Sequence, residues 1–220
     1  MKVLIFGATG MVGLGVLREC LLDAGVDQVV TIGRSATGQQ NPKLREIVQK
    51  DLSGYPDAAS QLTGFDACFF CLGVSSAGMN EEDYRRLTYD LTMVAARTLV
   101  KLKPEMTFIY VSGAGTDSSE RGRSMWARVK GKTENDLLAL PFRGVYAFRP
   151  AVIQALHGIR SKTKAYQILY FFFGWTIPLL KPMLFPKYMT TTEQVGKALL
   201  KVARQGYSKR ILESVDINTV

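Results

Sequence analysis

At 220 residues, with 47% apolar and 21% charged side chains, the chain has the size of one globular domain and enough apolar mass for a sizeable core. Three cysteines, an odd and low number, argue against a disulfide framework and for a reducing, cytoplasmic compartment. A formal charge of +9 suits an anionic ligand or an anionic membrane surface; no helix-turn-helix, zinc-finger or RNA-binding pattern accompanies it, so nucleic acid is not an expected partner.

The chain opens on Lys2-Val3-Leu4-Ile5-Phe6, a run of strand formers broken off by glycines, which does not read as a signal peptide. The run meets Gly7, Gly10 and Gly13, and an apolar pattern of helical period follows. Strand, tight turn and helix in that order are the context a dinucleotide-binding loop requires. Gly7 lets the chain turn, Gly10 leaves room for a pyrophosphate, and Gly13 lets the helix pack close to the strand. The first N–H groups of that helix lack intrahelical partners and, with the helix dipole, form an anion site. Gly7, Thr9, Gly10, Met11, Val12 and Gly13 are therefore assigned to a cofactor; a purely structural turn is the competing reading.

The helix is expected from Met11 to about Gly25, with Leu14, Leu17, Leu21 and Leu22 on its apolar face. A second strand over 28–33 runs straight into Arg34-Ser35. About twenty residues after the glycine loop, an acid would accept the ribose 2′-OH of NAD. Arg34 stands there instead. A guanidinium pairs well with phosphate, so NADP(H) is expected over NAD(H), with Arg34 and Ser35 at the 2′-phosphate, unless Arg34 is a solvated turn residue. A third strand over 44–50 ends in Asp51 and Leu52, placed at the adenine, and a short helix over 56–62 follows.

The fourth strand, 68–72, opens into small residues over 73–78 that suit a surface lying against ribose and nicotinamide, which puts Cys71, Leu72 and Gly73 there. Cys68 and Cys71 form a C-x-x-C string, but three residues along a strand point to opposite faces, so buried cysteines are expected and no metal site. Asn80-Glu81-Glu82-Asp83 caps a long helix to Lys103. A fifth strand over 107–111 delivers Ser112 to the same edge as Gly73. A polar loop, a helix over 124–140 ended by Pro141, and a sixth strand over 145–150 complete the core.

Alternating strands and helices imply an α/β fold with a doubly wound parallel sheet, Rossmann-like, in a single domain. Residues 1–150 form the dinucleotide-binding core, closing at Pro150. Residues 151–192 read as a small substrate or cap region, and 193–220 as a terminal helix, capped by Thr190-Thr191-Thr192-Glu193, and a last strand over 209–215. The aromatic stretch 165–180 is too short and too interrupted to span a bilayer. It can roof a pocket for an apolar substrate, make a homo-oligomer contact, or touch a membrane surface through its basic flanks. His157 reads as a loop residue.

The glycine loop, the Gly73 strand end, Ser112 and Lys130 together resemble the short-chain dehydrogenase/reductase superfamily, in its extended and atypical branches. Residues 111–115, 129–131 and Arg149-Pro150 also look like HIV-Tat-interacting-protein-type oxidoreductases and NAD-dependent epimerase/dehydratase-like bacterial proteins. In active members of the superfamily a tyrosine lies four positions before the lysine, on the same helix face, and exchanges a proton with the substrate oxygen. The resemblance implies Ser112 and Lys130 as catalytic residues, with Lys130 also on the ribose, and puts Trp126 at the tyrosine position. An indole N–H donates a hydrogen bond but is too weak an acid to deliver its proton. The implied activity is NADP(H)-dependent oxidation or reduction of an apolar alcohol or carbonyl. Alternatives are a non-catalytic NADP(H) sensor or scaffold, membrane-apposed in one version, a proton from Tyr84, Tyr89, Asp117 or water, and Trp126 stacked on a ligand or packed in the core.

Overall fold

The structure is a computed structural model that describes residues 1–51, 59–159 and 187–220. Its centre is a seven-stranded sheet built from β1 (Lys2–Phe6), β2 (Gln28–Gly33), β3 (Leu44–Val48), β4 (Ala67–Phe70), β5 (Thr107–Val111), β6 (Gly144–Arg149) and a late strand, Ile211–Glu213. The order across the sheet is β3-β2-β1-β4-β5-β6 and then the late strand, every pairing parallel. This is the doubly wound Rossmann-like α/β arrangement, and the order reverses between β1 and β4.

Helices cover both faces. On one lie α1 (Met11–Leu22) and a C-terminal helix, Thr192–Gln205; on the other α2 (Glu81–Arg85), a π-helical turn (Arg86–Asp90), α3 (Leu91–Leu102) and α4 (Met125–Leu138). Because strand residues alternate, Leu4, Phe6, Cys68, Phe70, Phe108 and Tyr110 face the second layer, while Val3, Ile5, Phe69, Ile109 and Phe148 face the first. Cys68 belongs to one core cluster and Cys71 packs against the other, as their spacing requires.

Several boundaries differ from the sequence reading. α1 stops at Leu22, which is 64% exposed, so Leu22 is not on the core face. The buried face instead runs through Gly15, Val16 and Glu19, because the C-terminal helix packs so closely that a Cβ on Gly15 would sit 2.6 Å from Thr192 Cβ. β3 ends at Val48 rather than Lys50, β4 begins at Ala67 and ends at Phe70, and β6 begins at Gly144 and ends at Arg149. The expected helix over 81–103 is one path of α2 and α3 interrupted by the π turn. Of the short helix expected over 56–62, the described part is a 3₁₀ turn, Ala59–Leu62.

The region beyond residue 150 contains a second, two-stranded parallel sheet that the sequence reading lacked, β7 (Val152–Gln154) with β8 (Met189–Thr191). β8 leads into α5 (Thr192–Gln205), capped by the Thr191 hydroxyl, which accepts the Gln194 N–H at 3.0 Å. The late strand, β9 (Ile211–Glu213), is shorter than expected because a capping box of Glu213 and Asp216 starts α6 (Ser214–Thr219), so Val215 is helical. The aromatic stretch 165–180 lies outside the described residues. Among those described, no helix is long and apolar enough to cross a membrane.

The loop after β5 packs backbone to backbone against α4. A Cβ on Gly131 would lie 1.8 Å from the Asp117 carbonyl oxygen. Alanine usually stabilises a helix over glycine, but backbone overlap reverses that preference here. Gly131→Ala should cost about 1–3 kcal/mol and lower the melting temperature by several degrees. Thermal denaturation followed by circular dichroism checks this; an unchanged or raised midpoint contradicts the packing.

Candidate active site

A cleft of about 610 Å³ opens at the carboxyl ends of β1, β4 and β5, beside the reversal of strand order. One wall is the glycine loop. Gly7 sits at φ +79°, a conformation that favours glycine, and its carbonyl accepts the Gly10 N–H at 3.0 Å. Gly13 lies beneath the loop rather than in the cleft: a Cβ there would meet the Gly7 oxygen at 2.1 Å. Thr9, Gly10, Met11 and Val12 line the cleft around the start of α1. Gly10 offers no side chain to cap that helix, and its first turn carries no acid, so the positive end of the dipole meets the cleft without a competing carboxylate.

Cys71, Leu72 and Gly73 form the floor beyond β4, and Pro150 lies opposite. A Cβ on Gly73 would touch nothing within 4 Å; it would project into open space, as expected where a flat ligand crosses the backbone. Burial pushes the Cys71 thiol up to about 12, so it stays protonated.

Arg34 is exposed at the end of β2, lining both the cleft and a neighbouring hollow of about 290 Å³. That hollow also takes Lys50, Asp51 and Arg86, over apolar Leu72, Val74, Leu87 and Leu91. The sequence reading gave Lys50, Arg86, Leu87 and Leu91 no part in the site; Arg86 and Leu87 come from the π turn, a distortion that often marks functional positions. Ser35 is exposed and lines neither cavity. Leu52 lies outside the described residues.

The catalytic candidates divide. Ser112 and Lys130 both line the cleft. Trp126 does not: its indole packs toward Gly115, where a Cβ would meet ring carbon Cη2 at 3.2 Å, and against the apolar core. The alternative proton donors are engaged elsewhere. Tyr84 is buried in the core, and the Tyr89 hydroxyl donates to Asp136 beneath the Arg85 guanidinium, 4.6 Å from the ring centre. The Asp117 carboxylate accepts the Gly122 N–H at 2.6 Å and the Ser119 N–H at 3.0 Å.

Behind Ser112 lies a buried ionic cluster that the sequence reading missed. Its hydroxyl donates to the Glu134 carboxylate, which is fully buried. Arg149 clamps that carboxylate, its Nε 3.1 Å from both oxygens and its Nη2 donating to Oε2 as well as to the Ser118 hydroxyl at 2.6 Å. Lys130 Nζ donates to the Ser112 carbonyl oxygen. Burial draws the Lys130 ammonium down to about 8, with Glu134 acting in the opposite direction. Glu134 follows Lys130 by four residues, one turn along the same face of α4, which is the signal that could have found it. His157 pairs with Glu193 at 2.7 Å, away from the cleft. Among the described residues, no group of three or more His, Cys, Asp or Glu side chains is arranged to hold a metal.

No protein-family model matches the chain. It is 28% identical to "Protein FMP52-2, mitochondrial" of Scheffersomyces stipitis over 152 residues, 68% of this chain and 65% of that protein. It is 27% identical to "Protein FMP52, mitochondrial" of Meyerozyma guilliermondii over 214 residues, 92% of this chain and 85% of that protein. Among solved structures, the Bordetella bronchiseptica enzyme WbmF in complex with NAD+ superposes with a TM-score of 0.70 at 16% identity, over 99% of this chain and 76% of WbmF. A short chain dehydrogenase from Burkholderia cenocepacia in complex with NADP gives 0.69 at 13% identity, over 96% of this chain and 86% of that one. The chain thus has the fold of the NAD(P)-binding enzymes of the extended short-chain dehydrogenase/reductase type. One expectation is overturned: the cysteine count pointed to the cytoplasm, whereas the FMP52 relatives are named as mitochondrial proteins. A low cysteine count reports a reducing interior, which does not distinguish those compartments.

Proposed function

We propose that the chain binds a nicotinamide dinucleotide, NADP(H) in preference to NAD(H), and uses it as an oxidoreductase on an apolar carbonyl or alcohol. One observation carries this reading: a single cleft joins the uncapped start of α1 to Gly73, Ser112 and Lys130. The residues fit such a group, because an anion site without a neighbouring acid and a backbone stretch with space above Gly73 are what a pyrophosphate and a flat ring require. Gly7, Thr9, Gly10, Met11 and Val12 would hold the pyrophosphate, and Gly13 the packing beneath it. Arg34, with Arg86 and Lys50 beside it, would take the 2′-phosphate, Asp51 would border the adenine, and Leu72, Gly73, Lys130 and Pro150 would border the nicotinamide half. A bound nicotinamide supplies or accepts the hydride. The walls near Lys130 include Val111, Ala114, Ala151 and Ile153, which favours an apolar substrate. On this reading Trp126 replaces the tyrosine of the superfamily's active members, and the proton must come from another group.

Charge-assisted contacts to a phosphate give about 1.5–3 kcal/mol each. NADPH should therefore bind roughly ten-fold or more tighter than NADH, and Arg34→Ala should remove most of the difference. Fluorescence titration with both nucleotides checks it, and equal affinities for the wild type would sink the assignment. Binding of NADPH without turnover on any carbonyl would favour the sensor reading instead.

A further inference from the structure

The cleft contains few groups able to give up a proton, and the structure disposes of most of them. Among the described residues that line it, the ionisable side chains are Arg34, Cys71 and Lys130. A guanidinium is no proton donor for a substrate oxygen, and the Cys71 thiol is held protonated by burial. Ser112 has one hydroxyl hydrogen and two internal acceptors for it, the Glu134 carboxylate and the Phe148 carbonyl at 3.2 Å. Glu134 is fully buried and clamped by Arg149, so its negative charge is fixed where the serine hydrogen is. A hydroxyl committed to an ionised carboxylate offers a ligand its lone pairs and not its proton.

We propose that Lys130 is the catalytic residue that gives its proton to a substrate oxygen in this cleft, and that Glu134 is the positioning residue that assigns it this task by holding the Ser112 hydroxyl hydrogen. The inference rests on the dinucleotide reading of the cleft. Lys130 Nζ lies beside the Ser112 carbonyl, and a Cβ on Gly113 would lie 3.8 Å from it. Only one of its three N–H bonds goes to that carbonyl, which leaves hydrogens for a ligand. In a reduction, a bound dihydronicotinamide would supply the hydride, electron pair included, to the carbonyl carbon. The π pair moves to oxygen, which takes the Nζ proton, and the neutral amine recovers a proton from water at the cleft mouth. The charged groups around Nζ are Glu134 on its own helix and, behind it, Arg149 of β6; Arg34 lies across the cleft. With burial drawing its pKa to about 8, the amine is charged at neutral pH yet releases its proton readily.

The test begins on the nucleotide-free protein. Competitive acetylation of Lys130, read by mass spectrometry across pH, should show half-reaction near pH 8, and Glu134→Gln should move it lower because a charge-stabilising carboxylate is gone. Glu134→Asp should restore much of the shift, and Ser112→Ala, which keeps the Glu134–Arg149 pair and serves if the Gln variant does not fold, should leave half-reaction near 8. Half-reaction near the ordinary lysine value of 10.5 overturns the proposal, as does a folded Glu134→Gln variant with no shift. With NADPH at a concentration saturating for each protein and a panel of aldehydes and ketones, the activity comparison uses Lys130→Arg. That variant should reduce the wild type's substrates at least about 100-fold more slowly, since arginine keeps the charge but not the transferable proton. Equal turnover overturns the proposal. Failure of NADPH to bind, with Lys130 still titrating near 8 and responding to Glu134, overturns the dinucleotide reading alone.

Discussion

Glu134→Ala should destabilise the fold by about 3–5 kcal/mol, because it leaves Arg149 buried and without its main counter-charge. The Glu134 side chain is fully buried and Arg149 is 9% exposed, and three guanidinium contacts converge on the carboxylate. Total stabilities of 5–15 kcal/mol make a loss of that size a large share of the whole. Replacing both partners by apolar residues of similar size, as in Glu134→Leu with Arg149→Met, should recover most of the loss, since no charge is then stranded. Urea denaturation at 25 °C on the three proteins measures this. A single variant within 1 kcal/mol of wild type would mean that water reaches the pair. The Glu213 carboxylate, 3.6 Å from Arg149, is half-exposed and a weaker substitute.

The second large effect is a pH dependence of stability centred on Lys130. In the unfolded chain this amine titrates at its ordinary 10.5, and in the folded protein at about 8. Between those values the unfolded state binds more protons, so stability rises with pH through this window. The penalty for burying the charge is fully present below pH 8 and is relieved as pH approaches 10.5, amounting to at most about 3 kcal/mol. Lysine side chains in general titrate near the top of the same range, so the quantity to measure is the difference between wild type and Lys130→Met. Below pH 7 the variant should gain stability relative to wild type, and the gain should shrink as pH rises toward 10. Parallel curves for the two proteins would contradict a buried, depressed amine. The expectation also makes physical sense of function: a charge kept where it costs stability is the pattern of a working site.

Much of this arrangement was legible in the sequence because it is local. Gly7, Gly10 and Gly13 announce a strand, turn and helix within fifteen residues, and the bounds of β2 and β5 follow from short apolar runs closed by polar or small residues. Caps at Asn80 and Thr191 are likewise read from neighbouring positions. Most of the residues brought to one cleft lie at strand ends whose order a parallel sheet fixes, with Met11 and Val12 at the start of α1 and Lys130 on α4. The features that escaped are set by tertiary contact. β7 and β8 are three residues each and pair across some thirty-five positions of chain, too short for a periodicity to show. Leu22 looked like core because the helical pattern cannot know that α5 approaches on the glycine side of α1. Trp126 has the spacing of a cleft residue, yet its ring finds the space above Gly115. The Glu134–Arg149 pair joins a helix to a strand end, and nothing in either local sequence says that a charge there will be buried.

Hydrogen–deuterium exchange of the full chain with and without saturating NADPH tests the proposed dinucleotide cleft most directly. Amides of the glycine loop and the start of α1, residues 7–13, should exchange more slowly with nucleotide, together with 71–75 after β4 and 112–114 after β5. The α1–α5 side of the molecule, around Leu22 and Arg204, should not change. Protection confined to another surface, or none at nucleotide concentrations that saturate the related folds, would contradict a dinucleotide site at the switch between β1 and β4.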